Sequence, residues 1–268
     1  MSRFQALLRG PSPLIGVLHL PPLPGSPRPS PGLAAVLAAA LRDAETLAEG
    51  GARGLIVENL GDAPFSADSV EPHVTAMLAI VARAVRERLG DALVIGVNAL
   101  RNDALSALGA AAAADADFIR VNVLSGAMVT DQGLIQGRAR ELLLYRNRLA
   151  PQLKIVADVL VKHASPLAPV ELEQVARDTF HRAGADVLVV TGSGTGQPTD
   201  PERLRRVRAA VPEAPVWVGS GVSVSTAGLF GAEASGAIVG TALHAGGDLS
   251  APLDPERVRV MVRLLAGG

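Results

Sequence analysis

Pro215-Val-Trp-Val-Gly-Ser-Gly-Val222 and, about twenty residues later, Gly236-Ala-Ile-Val-Gly-Thr241 are two short apolar runs that each end in glycine and a hydroxyl. A short helix-like segment separates them. Read as successive strands of a parallel barrel, they set Gly219, Ser220, Gly221, Gly240 and Thr241 on one rim. Glycine lets backbone N–H groups approach a ligand closely, and a helix start behind the turn favours an anion. In a (β/α)8 barrel the loops after the seventh and eighth strands form the usual phosphate site. Gly192-Ser193-Gly194, which ends the preceding apolar run, extends the same pattern to a third turn. These glycines are therefore expected to bind phosphate rather than serve only as strand-to-helix turns.

The alternation continues backwards to the start of the chain. Apolar runs over 14–20, 54–59, 93–98, 117–122, 154–161 and 186–191 read as strands. Segments with helical apolar spacing follow at 32–49, 72–89, 103–114, 134–149, 169–183 and 201–210, and Asp254-Pro-Glu opens a last helix. Eight strand–helix units in sequence predict an α/β fold of the (β/α)8 TIM-barrel type, as one domain over residues 1–268. The mostly continuous apolar strands suit a sheet buried on both faces. A doubly wound open sheet fits less well, because an early Gly-x-Gly-x-x-Gly is missing and the glycine pair comes late.

Bulk properties narrow the function classes. A net charge of −1 gives no electrostatic reason to expect a nucleic-acid partner. The absence of cysteine removes disulfides and thiolate chemistry. No apolar run approaches the roughly 20 residues of a membrane span, and Met1-Ser-Arg-Phe-Gln5 does not read as a signal peptide. A cytoplasmic protein is expected, with peripheral membrane association left open. Ala-rich outer helices suggest a homo-oligomer. All but two of the 25 basic residues are arginine, the exceptions being Lys154 and Lys162. Lysine is a compact charge that can lose its proton, which guanidinium cannot do.

Function in such a barrel collects where strands end. Here those ends are polar: His19, Glu58 with Asn59, Asn98, Arg120 with Asn122, and Asp158 followed by Lys162. Strand alternation puts Arg120 and Asn122 on one face, and Arg120 and Asp158 on adjacent strands can pair directly. Any one of these residues alone reads as structural. Acid, base, amide and cation together exceed what stability requires. Glu58, Asn98, Arg120, Asp158 and Lys162 are the candidate catalytic set, with Asp158 or Glu58 as general base and Arg120 stabilising negative charge. Lys162 is a weaker candidate for a Schiff base. His19, Asn59, Asp62 and Asn122 join the glycine turns as candidate ligand contacts. Asn98-Ala-Leu-Arg-Asn-Asp103 either clamps a ligand through Arg101 and Asn102 or caps the next helix. Thr130-Asp131-Gln132-Gly133 lies in the longest loop, as a lid or a surface excursion. His73, His181 and His244 receive no function. No His-x-His or His-x-x-x-His spacing occurs, so no metal site is expected, and the sequence names no cofactor.

These motifs together resemble the BtpA/SgcQ family. The pieces are Gly16-Val-Leu-His-Leu-Pro-Pro-Leu-Pro-Gly-Ser-Pro27, Glu58-Asn-Leu-Gly-Asp-Ala-Pro-Phe65, Arg101-Asn-Asp103 and Phe118-Ile-Arg-Val-Asn-Val123. Val129-Thr-Asp-Gln-Gly133, Ala157-Asp158, Val161-Lys-His-Ala164, Val218-Gly-Ser-Gly-Val222 and Ile238-Val-Gly-Thr241 complete the set. The resemblance departs at Leu243-His-Ala-Gly-Gly-Asp248, where a Lys-containing, more acidic segment is expected, and at Asn98-Ala-Leu100. It implies a ribulose-phosphate-binding-type barrel. For function it implies two classes: a protein acting on sugar phosphates or nucleoside-related compounds, and, for cyanobacterial members, a photosystem I biogenesis role. The sequence reading is an enzyme for a small phosphorylated compound, with isomerase, lyase and glycosidic-bond cleavage all open. The alternative is a non-enzymatic assembly factor for a membrane complex such as photosystem I.

Overall fold

The computed structural model describes residues 1–192, 199–230 and 233–267. Its strands, in chain order, are β1 (Leu14–His19), β2 (Gly54–Glu58), β3 (Val94–Asn98), β4 (Phe118–Val121), β5 (Ala127–Thr130) and β6 (Gly133–Gln136). They continue with β7 (Lys154–Val159), β8 (Ala164–Pro166), β9 (Val187–Thr191), β10 (Val216–Gly219) and β11 (Ala237–Val239). Eight of them close a parallel barrel in the order β1-β11-β10-β9-β7-β4-β3-β2. The fold is a TIM barrel.

Helices α1 (Arg3–Leu8), α2 (Leu33–Glu49), α3 (Pro72–Leu89), α4 (Ala104–Ala113) and α5 (Ala139–Leu149) are followed by α6 (Leu172–Arg177), α7 (Pro201–Ala210) and α8 (Pro255–Leu265). Their apolar stripes pack on the outward face of the barrel strands, around residues such as Leu55, Val97, Ile119 and Val218. The described residues between β10 and β11 hold only a 3-10 turn, Ala227–Leu229.

Inside the barrel the two-residue strand period sorts side chains by level. Ile15, Val17, Ile56, Val94, Phe118, Val156, Val187, Val189, Trp217 and Ile238 form one buried cluster. One step further along the same faces stand His19, Glu58, Asn98, Arg120, Asp158 and Thr191, all at the C-terminal ends. Register keeps them level: His19 pairs with Glu58, and Glu58 with Asn98. Continuing each apolar face by two residues thus creates the polar rim.

Several elements differ from the sequence expectation: α1 was not expected, and the helix-like segment expected between β10 and β11 is a 3-10 turn among the described residues. The segment 124–136 was read as a polar loop leading into a helix that starts at Leu134. It is instead a β-hairpin, β5 against β6, with β8 added on the other edge of β5. Alternation explains it, since Met128 and Ile135 turn inward onto Val123 and Val161 while Val129 and Leu134 face solvent. Helix α5 begins only at Ala139. The helix expected over 169–183 is also shorter, with α6 passing into a π-helical turn, Asp178–Arg182.

Helix α1 closes the bottom of the barrel. Its Ser2–Gln5 capping box satisfies exposed backbone donors at both ends of the motif. Phe4 then enters the barrel floor, with its ring 5.5 Å from Phe118 and 5.9 Å from Trp217. Arg3 fixes the helix from outside by pairing with Asp91, Asp115 and Asp117. Truncating a fully buried aromatic loses both its transfer energy and its packing. Phe4→Ala is expected to destabilise the barrel by about 3 kcal/mol, read as a lower urea midpoint at unchanged slope. A loss under about 0.5 kcal/mol would mean that α1 is an appendage and not part of the core.

Candidate active site

Arg120 is the electrostatic centre of the rim. Its Nε and Nη2 donate to Asp158 Oδ1 and Oδ2 at 3.1 and 3.0 Å, a bidentate pair between adjacent strands. Its Nη1 lies 3.9 Å from Glu58 Oε2. Burial opposes the guanidinium charge, but Asp158 and Glu58 together outweigh it and hold the pKa above its ordinary value. Asn122 Nδ2 donates to Asp158 Oδ2 at 2.8 Å, and Asn98 Nδ2 to Glu58 Oε2 at 2.7 Å. Both carboxylates are therefore fixed by neighbours.

Two cavities open onto this array. The inner one, about 420 Å³, runs from Glu58, Arg120 and Lys162 to the turns after β10 and β11. Ser220, Gly221, Gly240 and Thr241 line it, together with His19. The outer one, about 550 Å³, shares Glu58, Arg120 and Lys162 and extends under the β5–β6 hairpin. Lys162 follows β7 and enters both. Burial lowers its pKa, the Arg120 charge lowers it further, and Glu58 and Asp158 pull the other way.

The turn after β10 is unusual in its backbone. Ser220 and Gly221 both have positive φ, 64° and 68°, so the chain reverses sharply and carries Ser220 to the cavity wall. At Gly240 the requirement is space: a Cβ there would lie 2.4 Å from the His19 ring. His19 is thus packed edge-on against the second turn, and its ring stacks on that of His244 at 5.7 Å. Burial pushes the His19 pKa down to about 4, with Glu58 opposing and His244 adding. The ring is neutral at pH 7, and its Nδ1 is buried without a partner among the described residues.

Several sequence candidates lie elsewhere. Asp158 lines neither cavity, because both oxygens face Arg120 and Asn122. Asn98 stands behind Glu58. Asn59 and Asp62 brace the loops: Asp62 accepts from Leu23 N and Asn59 Nδ2, while Asn59 Oδ1 accepts from Leu100 N. Gly219 belongs to β10 and lies against Val189 and Thr191. Gly192 is buried just after β9, and Ser193 and Gly194 lie outside the described residues. Asp103 caps α4 by accepting from Ser106 N, and Asn102 exchanges two hydrogen bonds with the Val123 backbone. Arg101 lines the outer cavity.

Sequence reasoning missed His244 and the hydroxyl cluster Ser223, Ser225 and Thr226, which also lines the inner cavity. The serine-rich run after Gly221 was a visible signal. His244 gave none, because only the fold brings it to His19.

The family model described as the BtpA family matches residues 11–267. This chain belongs to the BtpA family. It is 43% identical over 259 residues to the photosystem I biogenesis protein BtpA of Synechocystis, covering 96% of this chain and 89% of that protein. It is 45% identical to an uncharacterized protein of Thermococcus kodakarensis, covering 94% of each. Among solved structures it resembles KGPDC from Streptococcus mutans, with a TM-score of 0.60, 13% identity, and coverage of 95% of this chain and 97% of that one. Phosphoribosyl anthranilate isomerase from Thermus thermophilus gives a TM-score of 0.54 at 14% identity, covering 95% and 98%. At such identity the likeness is one of fold. No helix among the described residues is long and apolar enough to cross a membrane.

The neutral histidine of this BtpA-family barrel makes its stability pH-dependent. The His19 pKa falls from 6.5 to about 4 on folding, so between those values the unfolded chain binds the extra proton. This contribution is complete above about pH 6.5 and declines as pH falls through the window, with a total on the order of 3 kcal/mol. His19→Gln should flatten that part of the curve, measured as urea midpoints from about pH 7 to about pH 4.5. Parallel curves for the two proteins would assign the pH dependence to other groups.

Proposed function

We propose that this protein is a cytoplasmic enzyme acting on a small phosphorylated compound, with the phosphate held in the inner cavity. One observation carries the reading. The Ser220–Gly221 and Gly240–Thr241 turns line the same cavity as Glu58, Arg120 and Lys162. Backbone and hydroxyl groups at one end suit a phosphate dianion. At the other end a carboxylate and two cations suit proton transfer beside developing negative charge.

Roles follow from access. Glu58 reaches both cavities and is the proposed general base, oriented by Asn98. Arg120 faces the same space and stabilises negative charge on the substrate. Asp158 is proposed as a positioning residue, because its oxygens are occupied in keeping Arg120 charged and level. Lys162, with its lowered pKa, is available either as a proton carrier or as an amine for a carbonyl carbon.

A second reading has one observation in its favour. The Synechocystis relative is named for photosystem I biogenesis, which suggests an assembly factor. In that case the rim would serve stability alone, and Glu58→Gln would leave the biological role intact.

A thermal-shift panel of inorganic phosphate, pentose phosphates and hexose phosphates separates these readings. A ligand at one hundred times its Kd stabilises the folded state by about 2.7 kcal/mol, an easily read rise in Tm. Gly221→Val, which forces a β-branched residue into positive φ, should abolish that rise while the ligand-free protein still melts cooperatively. Glu58→Gln should keep the rise and lower turnover of the consumed compound by about 100-fold or more. No shift from any phosphate compound, with a cooperative melt, would overturn the enzyme reading.

A further inference from the structure

The outer cavity contains chemistry that a phosphate does not need. Asn122 and Gln132 both line it, and the side-chain carbonyl oxygens of both are buried without a partner among the described residues. Their orientation is set by their neighbours. Asn122 Nδ2 donates to Asp158 and Gln132 Nε2 to Asp131, so in each amide the nitrogen faces a carboxylate and the oxygen is left over. A flipped amide would set oxygen against carboxylate oxygen. Asn122 is only 4% exposed, which leaves little access for bulk water.

A carbonyl oxygen can only accept, so these two amides ask for N–H or O–H donors, while Arg28, Arg101, Arg120 and Lys162 on the same wall offer donors to a ring's acceptor atoms. The Asp131 carboxylate, also on its wall, adds a further acceptor. Phe65 and Leu100 supply apolar surface to the same space, and an aromatic face favours a planar partner. Acceptors at an edge with an aromatic wall define a site for a flat ring carrying N–H groups. A simple sugar phosphate has neither the ring nor the nitrogen.

Resting on the phosphate reading above, we propose that the substrate has two parts. A phosphorylated sugar fills the inner lobe, and a nitrogen heterocycle bearing N–H donors fills the outer one. Among the described residues, the two lobes share Glu58, Arg120 and Lys162 as a common wall. The bond between sugar and heterocycle then lies over the candidate catalytic groups. The substrate class is a nucleotide-like N-glycoside of a sugar phosphate. The β5–β6 hairpin acquires a purpose in this arrangement: its Asp131–Gln132 turn is the roof of the heterocycle lobe.

Isothermal titration of the whole protein with ribose 5-phosphate, the four common nucleoside 5′-monophosphates and the corresponding nucleosides tests this. At least one monophosphate is expected to bind about tenfold tighter than ribose 5-phosphate. Phe65→Ala and Gln132→Leu, each confirmed folded by its melting curve, should bring that ratio close to one. If ribose 5-phosphate binds as tightly as every monophosphate, the heterocycle lobe is overturned and the phosphate reading stands. A tenfold preference that survives both variants also overturns it. If nucleosides bind as tightly as their monophosphates, the outer lobe is supported and the phosphate reading fails. No binding by any of these compounds overturns both.

Discussion

The guanidinium of Arg120 is a full charge at the centre of a barrel, and the rim is built to keep it there. A buried cation of this kind is tolerated only with a well-aligned counter-ion and its remaining donors satisfied. Asp158 supplies the bidentate partner and Glu58 a second negative field. Asn122 and Asn98 then fix the two carboxylates. Removing Arg120 or Asp158 would leave a buried charge without its partner, and the two asparagines hold the carboxylates in place, so five side chains behave as one unit. The consequence is a rim whose charged groups are already fixed in place, as the proposed enzyme reading requires. Such a site does not have to reorganise its dipoles when negative charge develops.

The array also divides labour between groups of similar type. Asp158 and Glu58 are both buried carboxylates beside the same arginine. Asp158 is enclosed by its partners, whereas Glu58 is held by one amide and faces open space. Position along the strand accounts for this. Asp158 lies two residues beyond the position paired with Arg120, beside Asn122, which donates to it, while Glu58 is level with His19 and Asn98. His19 is neutral for a comparable reason: Gly240 and His244 enclose it on two sides, and desolvation outweighs the attraction of Glu58.

Much of this was readable from the chain. The polar strand ends stood out because barrel interiors otherwise favour branched apolar side chains, and the pairing of Arg120 with Asp158 followed from parity and adjacency alone. The tandem glycine turns after the last two strands marked the inner cavity. Less legible was the hydrogen bonding of Asn59 and Asp62, which joins loops far apart in sequence. The hairpin at 127–136 was hidden because each of its strands is only four residues long and half exposed, too short for period two to stand out. Helix α1 carried a capping box but is only six residues long, and its reason for existing lies in Phe118 and Trp217, remote in sequence.

The sequence by itself determined the order of the eight barrel strands and of most helices between them, the inward face of each barrel strand and hence which polar residues reach the rim. All of these depend on local periodicity and on the glycine turns. The tertiary structure decided which rim groups face open space and which face one another. It set Glu58 toward the cavities and Asp158 away from them, stacked His244 on His19, and folded the hairpin over the outer lobe. These outcomes depend on contacts between residues tens to hundreds of positions apart. Only closure of the barrel brings such residues together, and no local pattern encodes the distance between them.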